Sequence, residues 1–229
     1  MEKKTIGIIG GMGPLATVDL FQKIVVHTRA ACDQDHLHVL IDNDPSIEDR
    51  TAALLSGGAD PTPKMAASAR KLQRGGAELL VIPCNTAHCF YDAVQAAADV
   101  PVLHMIEITA RALRDRRVRC AGLLSTSGTI RTNIYQRIFD GTGIELLVPG
   151  EEDQEVLMDA IYRIKAGDMD FDFSGMQRVI DGLLSQGAET LILGCTELPL
   201  LPALYQYPVT DPTLELALEA VRQAGGDVI

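Results

Sequence analysis

No apolar run in this sequence approaches the roughly 20 residues that a membrane-spanning helix requires. A cationic excess is missing too: 20 Lys and Arg face 31 Asp and Glu, a formal net charge of −11 over 229 residues. The first absence argues against a membrane protein, and the second against polyanionic partners, whether nucleic acid or an anionic membrane surface. Aromatic residues make up only 4% of the chain, beside 47% hydrophobic and 22% charged, the balance of a soluble globular protein. Cysteine is sparse and unpaired in pattern. Cys32, Cys84, Cys89, Cys120 and Cys195 are an odd number without framework spacing, so they read as thiols in a reducing compartment. Met1-Glu2-Lys3-Lys4 runs straight into an apolar segment with no cleavage site, so a cytoplasmic protein is expected. An anionic substrate would need dedicated cations here.

What is present is written twice. Leu79-Leu80-Val81-Ile82 leads into Pro83-Cys84-Asn85-Thr86-Ala87-His88, and Leu191-Ile192-Leu193 into Gly194-Cys195-Thr196-Glu197-Leu198-Pro199. Each run is entered through Gly-Ala-Glu, at Gly76 and at Gly187. Short branched apolar runs between turn signals read as buried parallel strands, whose carboxyl ends face the crevice where open α/β sheets bind ligands. The opening Thr5-Ile6-Gly7-Ile8-Ile9 is likewise echoed from Cys120, pairing Gly7 with Gly122, Gly13 with Gly128 and Thr17 with Thr132. Met65, Ala69 and Leu72 correspond to Met176, Ile180 and Leu183. Four corresponding segments in one order indicate a duplicated unit.

Periodicity and turn residues predict helices over 15–31, 63–75, 87–98, 129–140, 151–166, 173–186 and 213–224. Strands are expected at 5–9, 37–41, 79–82, 100–103, 118–124, 144–148 and 191–193, with a long polar loop over 46–63 that carries Arg50. Strands alternating with helices give an α/β fold of two similar doubly wound parallel-sheet domains, related by a pseudo-twofold, with a cleft between them. The expected division is 1–103 plus 210–229, carrying Cys84, and 104–209, carrying Cys195.

Equivalent residues of a duplicated fold face each other across such a cleft, so a substrate would meet one thiol on each side. That suits taking a proton from one face of a carbon and returning one to the other, which requires one thiol and one thiolate. Producing a thiolate at pH 7 from an ordinary pKa near 8.5 costs roughly 2 kcal/mol. Asn85-Thr86 and Thr196-Glu197 read as helix starts, whose amides would offset part of that cost and hold a substrate carboxylate.

These two cysteine motifs, with Gly10-Gly11-Met12-Gly13-Pro14, Asp49-Arg50-Thr51 and Ile164-Lys165-Ala166-Gly167, resemble the cofactor-independent aspartate/glutamate racemase family, in particular its aspartate racemase branch. The resemblance covers nearly the whole chain. It implies that Cys84 and Cys195 are the two bases, that Arg50 and Lys165 hold the distal carboxylate, and that Met12, Asn85, Thr86 and Thr196 line the site, with Thr51 and Ala87 beside them as substrate-binding positions. It further implies a small amino-acid substrate, no pyridoxal phosphate and a homodimer.

Other readings attach to the same residues. Gly11-Met12-Gly13-Pro14-Leu15-Ala16 satisfies the G-x-G-x-x-A dinucleotide fingerprint, which would make the first unit a nucleotide-binding module. Cys84, His88 and Cys89 lack the spacing of a closed metal site, so no metal is expected. Cys32 and Cys120, falling in a predicted helix and strand, are expected to be inert core thiols, and His88 and His104 to be structural. A redox-sensing thiol protein, or a related cysteine-based isomerase or decarboxylase of a small carboxylic acid, are the remaining alternatives.

Overall fold

The computed structural model describes residues 3–229. β1 (Ile6–Gly10), buried along its whole length, lies between β2 (Val39–Asn43) and β3 (Leu79–Val81), and both pairings are parallel. A second parallel sheet runs β5 (Glu145–Leu147), β4 (Cys120–Ser125), β6 (Thr190–Gly194), β7 (Val209–Thr210). The strand expected at 100–103 is reduced to a single parallel bridge, Val102 with Leu80 of β3. It occupies the place that β7 takes beside β6. Pro101 gives this segment no amide at its own position, and Leu80 N–H donates to the Pro101 carbonyl at 2.9 Å.

The duplication extends to atomic packing. A Cβ on Gly7 would stand 2.6 Å from Leu80 Cδ2 and 3.2 Å from Leu72 Cβ; on Gly122 it would stand 2.9 Å from Leu191 Cδ2 and 3.2 Å from Leu183 Cβ. Both sheets therefore need glycine at this position of an inner strand, because the equivalent leucines close on it. The Gly-Ala-Glu entries match as well. Gly76 and Gly187 have φ of +100° and +105°, while Glu78 accepts from Thr5 N–H at 3.0 Å and Glu189 from Arg119 N–H at 2.8 Å.

Around the sheets stand α1 (Pro14–Val26), α2 (Arg50–Leu55), α3 (Thr62–Arg74), α4 (Tyr91–Gln95), α5 (Met105–Asp115), α6 (Ser127–Arg131), α7 (Ile134–Phe139), α8 (Glu151–Lys165), α9 (Ser174–Ser185) and α10 (Pro212–Gln223). Several differ from the sequence expectation. The loop over 46–63 contains α2, started by the Asp49 carboxylate accepting from Ala52 N–H at 2.7 Å. The helix expected over 129–140 is broken into α6 and α7 at Asn133, whose φ is +53°. The helix expected through Ala31 ends at Val26, so Cys32 lies in a loop and is exposed, a correction to its reading as a core thiol. Cys120 opens β4 and is half-buried.

The pattern reading missed α5, which joins the two cores. Its Met105 and Ile108 pack with Ile6, Ile8 and Val81 under the first sheet, and its Ile106, Ala110 and Leu113 with Ala121 and Leu123 under the second. Full burial of a branched aliphatic side chain contributes about 1.5–3 kcal/mol, so a helix with two apolar faces is a substantial bond between the halves. α10 returns to pack Leu216, Ala217, Ala220 and Val221 with Leu20 and Ile24 of α1. Asp211 secures this return: its carboxylate accepts from Thr213 and Leu214 N–H at the start of α10 and from Lys23 Nζ at 2.6 Å. Among the described residues no helix is long and apolar enough to cross a membrane.

Candidate active site

Cys84 follows the carboxyl end of β3 and Cys195 that of β6, so the sheet topology delivers the two thiols to one place. Both are nearly buried, 6% and 5% exposed, and both line one cavity of about 10 Å³. Met12, Arg50, Thr51, Asn85, Thr86, Lys165 and Thr196 line the same cavity. Ala87 does not; it is wholly buried in the first core with Met65 and Ile82. Asp49, Thr126, Gly194 and Glu197 complete the wall; none of them was expected from sequence as a substrate-binding or catalytic residue. The helix starts expected after each cysteine are short 3₁₀ turns, Thr86–Phe90 and Leu198–Leu200. Any dipole they supply is that of about one turn.

Arg50, at the first position of α2, is 7% exposed. Its guanidinium donates to the carbonyls of Ile47 at 3.2 Å, Glu48 at 2.8 Å and Met12 at 3.4 Å, while its Nε–H is buried without a partner. No carboxylate of the described residues forms an ion pair with it. A buried cation braced by carbonyl dipoles and lacking a counter-charge is arranged for an anion from outside. Lys165 is exposed over the residue as a whole, yet it lines the cavity. Burial of its ammonium acts to lower its pKa, but attraction to Cys195, Glu197 and Cys84 in their anionic forms outweighs this and raises it above the ordinary lysine value.

On the Cys84 side the partners are neutral. Tyr135 of α7, fully buried, donates its hydroxyl to Asn85 Oδ1 at 2.6 Å and leaves Asn85 Nδ2 buried without an acceptor. Thr86 Oγ1 meets Thr126 Oγ1 and Thr129 Oγ1, each at 2.9 Å. His88 is a strut. Its Nε2 accepts from Met105 N–H at 3.0 Å, so its Nδ1 carries the hydrogen and donates to the Cys84 carbonyl at 2.9 Å. Burial, with the nearby His104, lowers the His88 pKa to about 3, keeping the ring neutral. On the other side Cys195 Sγ donates to Glu197 Oε2 at 3.0 Å. Burial first, then the Glu197 carboxylate, pushes the Cys195 thiol well above its usual range, against the pull of Lys165.

The glycine turn after β1 serves this wall. Gly11 has φ of +95°, and a Cβ there would stand 2.2 Å from the Asp44 carbonyl oxygen. Its N–H, which a phosphate cradle would present to an anion, donates to Thr17 Oγ1 at 3.0 Å. The turn is therefore closed on its own protein, contrary to the dinucleotide reading.

Two parallel α/β domains thus bring a strand-end thiol each to one cavity, beside an arginine that has no ion-pair partner among the described residues. The chain belongs to the Asp/Glu/hydantoin racemase family, whose model matches residues 9–222, and is by that membership an amino-acid racemase. An aspartate racemase from Picrophilus torridus is similar at 32% identity, with a TM-score of 0.91 over 99% of this chain and 96% of the other. An aspartate racemase homologue from Pyrococcus horikoshii aligns at 26% identity with a TM-score of 0.77, over 97% and 99% of the two chains. A broad specificity amino-acid racemase of Bacillus subtilis is 28% identical over 84% of this chain and 85% of its own length.

Proposed function

We propose that this enzyme interconverts L- and D-aspartate by passing protons between the α-carbon and two thiols, Cys84 and Cys195, without pyridoxal phosphate. The observation that carries this reading is the convergence of both thiols and the uncompensated Arg50 on one cavity. The thiolate on one side takes the α-proton; the electron pair left on carbon delocalises into the α-carboxylate; the thiol opposite delivers its proton to the other face. The α-carboxylate would be held by Asn85 Nδ2 and the hydroxyls of Thr86 and Thr196, donors fixed before the charge develops. Arg50 and Lys165 would take the distal carboxylate, with Met12 and Thr51 shaping the pocket around it. The likeness to the Picrophilus torridus aspartate racemase supports aspartate over other substrates.

A space of about 10 Å³ holds little more than one water. A larger cavity of about 470 Å³, lined by Pro14, Leu15 and Ile164 among others, shares Asp49, Arg50, Lys165 and Glu197 with it. Substrate would enter from that side as the walls bearing α2 and the end of α8 part. We further propose the division at residue 103, with 210–229 returning to the first unit, a reading supported by the packing of α10 on α1. A cytoplasmic homodimer, acting on a free amino acid and neither nucleic acid nor membrane, completes the reading.

The test is racemisation of L- and D-aspartate by purified protein, followed by circular dichroism, with L-glutamate and L-alanine in parallel. Aspartate should be the fastest. Equal rates on aspartate and alanine would contradict the assigned role of Arg50 and Lys165; a preference for glutamate would move the substrate by one methylene, worth about 1–3 kcal/mol.

A further inference from the structure

Thr86 and Glu197 are 111 residues apart, as are Cys84 and Cys195, so the duplicated site carries a hydroxyl beside one thiol and a carboxylate beside the other. We infer that Glu197 is the proton-holding partner of Cys195, so that the substrate-free enzyme rests with Cys195 protonated and Cys84 as the base. This rests on the two-thiol reading above and assigns its two roles.

Glu197 is 4% exposed. Its Oε2 receives Cys195 Sγ–H at 3.0 Å and, more distantly, Thr196 Oγ1 at 3.5 Å. Among the described residues no cation stands within ion-pair distance of it, so its closest side-chain partner is the Cys195 thiol. The opposite wall makes room for it: a Cβ on Gly13 would stand 3.2 Å from Oε1. Two anions cannot share a 3.0 Å contact cheaply, and a carboxylic acid ordinarily gives up its proton some four pH units before a thiol. The single proton between them therefore stays on sulfur and is held there by the carboxylate.

The cycle then has a preferred starting form. Cys84 thiolate breaks the Cα–H bond of one enantiomer and becomes a thiol, while Cys195 loses its S–H proton to the opposite face of the same carbon. This leaves Cys195 as a thiolate against the Glu197 carboxylate, the less stable of the two forms, and the Cys84 proton must return to Cys195 through the cleft before the next molecule of that enantiomer reacts. The other enantiomer is taken by that less stable form directly. Thr86, whose hydroxyl is engaged by Thr126 and Thr129, imposes no such bias on Cys84.

The experiment is iodoacetamide labelling of the wild type and Glu197→Gln from pH 6 to 10, resolved by peptide mass spectrometry, with exposed Cys32 as internal reference. Cys84 and Cys195 are equally shielded, so access does not bias their order. In the wild type Cys84 should label before Cys195, and Cys195 should reach its labelling midpoint at higher pH than Cys32. In Glu197→Gln the Cys195 midpoint should fall by about one pH unit, raising its labelling at pH 8 roughly tenfold. The alkaline limb of the kcat–pH profile should move down with it, a change that loss of a merely structural contact would not produce. Labelling of Cys195 before Cys84 in the wild type, or an unmoved Cys195 midpoint in folded Glu197→Gln, would overturn the inference; should the variant not fold, the wild-type labelling order decides alone. Because labelling needs no turnover, absence of aspartate racemisation alongside the expected labelling would count against the substrate reading only.

Discussion

Cys84 and Cys195 stand at the ends of equivalent strands, equally buried, on sheets that close the same leucines onto the same glycine. Their immediate surroundings are nevertheless of opposite character. The residues that follow Cys84 carry neutral groups: the Asn85 amide oriented by Tyr135, the Thr86 hydroxyl bonded to those of Thr126 and Thr129, and a neutral His88 on the Cys84 carbonyl. Cys195 has an acid at 3.0 Å. Duplication has kept the packing, which tolerates little change in volume, and altered the polar residues that decide where a proton rests.

The sharpest way to break this comparison is to remove one thiol at a time. Cys84→Ser and Cys195→Ser should each lose racemisation by at least about 10²–10⁴-fold, the usual worth of a positioned acid or base. In deuterated water each should exchange the α-hydrogen of one enantiomer without inverting it, with opposite handedness. Inversion by either variant at near the wild-type rate would mean that the thiols do not act as a pair. Next in size is Arg50→Ala. It should raise the apparent barrier for aspartate by roughly 2–5 kcal/mol, because the distal carboxylate would lose a buried partner, while alanine turnover changes far less. A uniform loss across substrates would assign Arg50 to holding the loop through its bonds to Ile47, Glu48 and Met12.

A smaller effect belongs to the Cys84 side alone, since Pro199 stands where His88 would be repeated. His88 titrates at about 3 in the fold and near 6.5 when unfolded. The unfolded chain therefore binds the proton first as pH falls, and stability is lost from pH 6.5 downwards until about 3. Between pH 6.5 and 5 the loss should be about 2 kcal/mol by urea titration, with a shallower slope in His88→Asn; an equal slope would put the acid sensitivity elsewhere. His104, lowered by burial to about 4, should account for part of what remains. The smallest change expected is from Tyr135→Phe, which releases the Asn85 amide at a cost of about 1 kcal/mol. KM for aspartate should rise several-fold with kcat less affected, and an unchanged KM would detach Asn85 from substrate binding.

Much of the site could be read in the residues themselves. Both cysteines, Arg50, Lys165 and the polar residues after each cysteine line one cavity as expected, because strand-end positions are set by the apolar runs before them. Ala87 was misplaced since a 3₁₀ turn directs it to the core, where an α-helical start was assumed. Cys32 was misplaced because the helix before it stops five residues earlier than its composition suggests. The stripe of α5 is legible in the helical spacing of Ile106, Ala110 and Leu113. The signal for Glu197 was also present, as the point where the second cysteine motif departs from the first.

By itself the sequence determined the duplicated α/β plan, the paired thiols and the cations, all of which follow from local periodicity and from residues repeated at near-constant spacing. Tertiary structure alone decided which of these groups share a proton or a charge. Tyr135 and Asn85 are 50 residues apart and meet only where α7 of one half crosses to the other. Cys195 and Glu197 are two apart, a separation that in an extended strand would hold their side chains about 7 Å from each other; the turn after β6 brings them to 3.0 Å. Hydrogen bonding and ionisation depend on distances of that order, which periodicity does not encode.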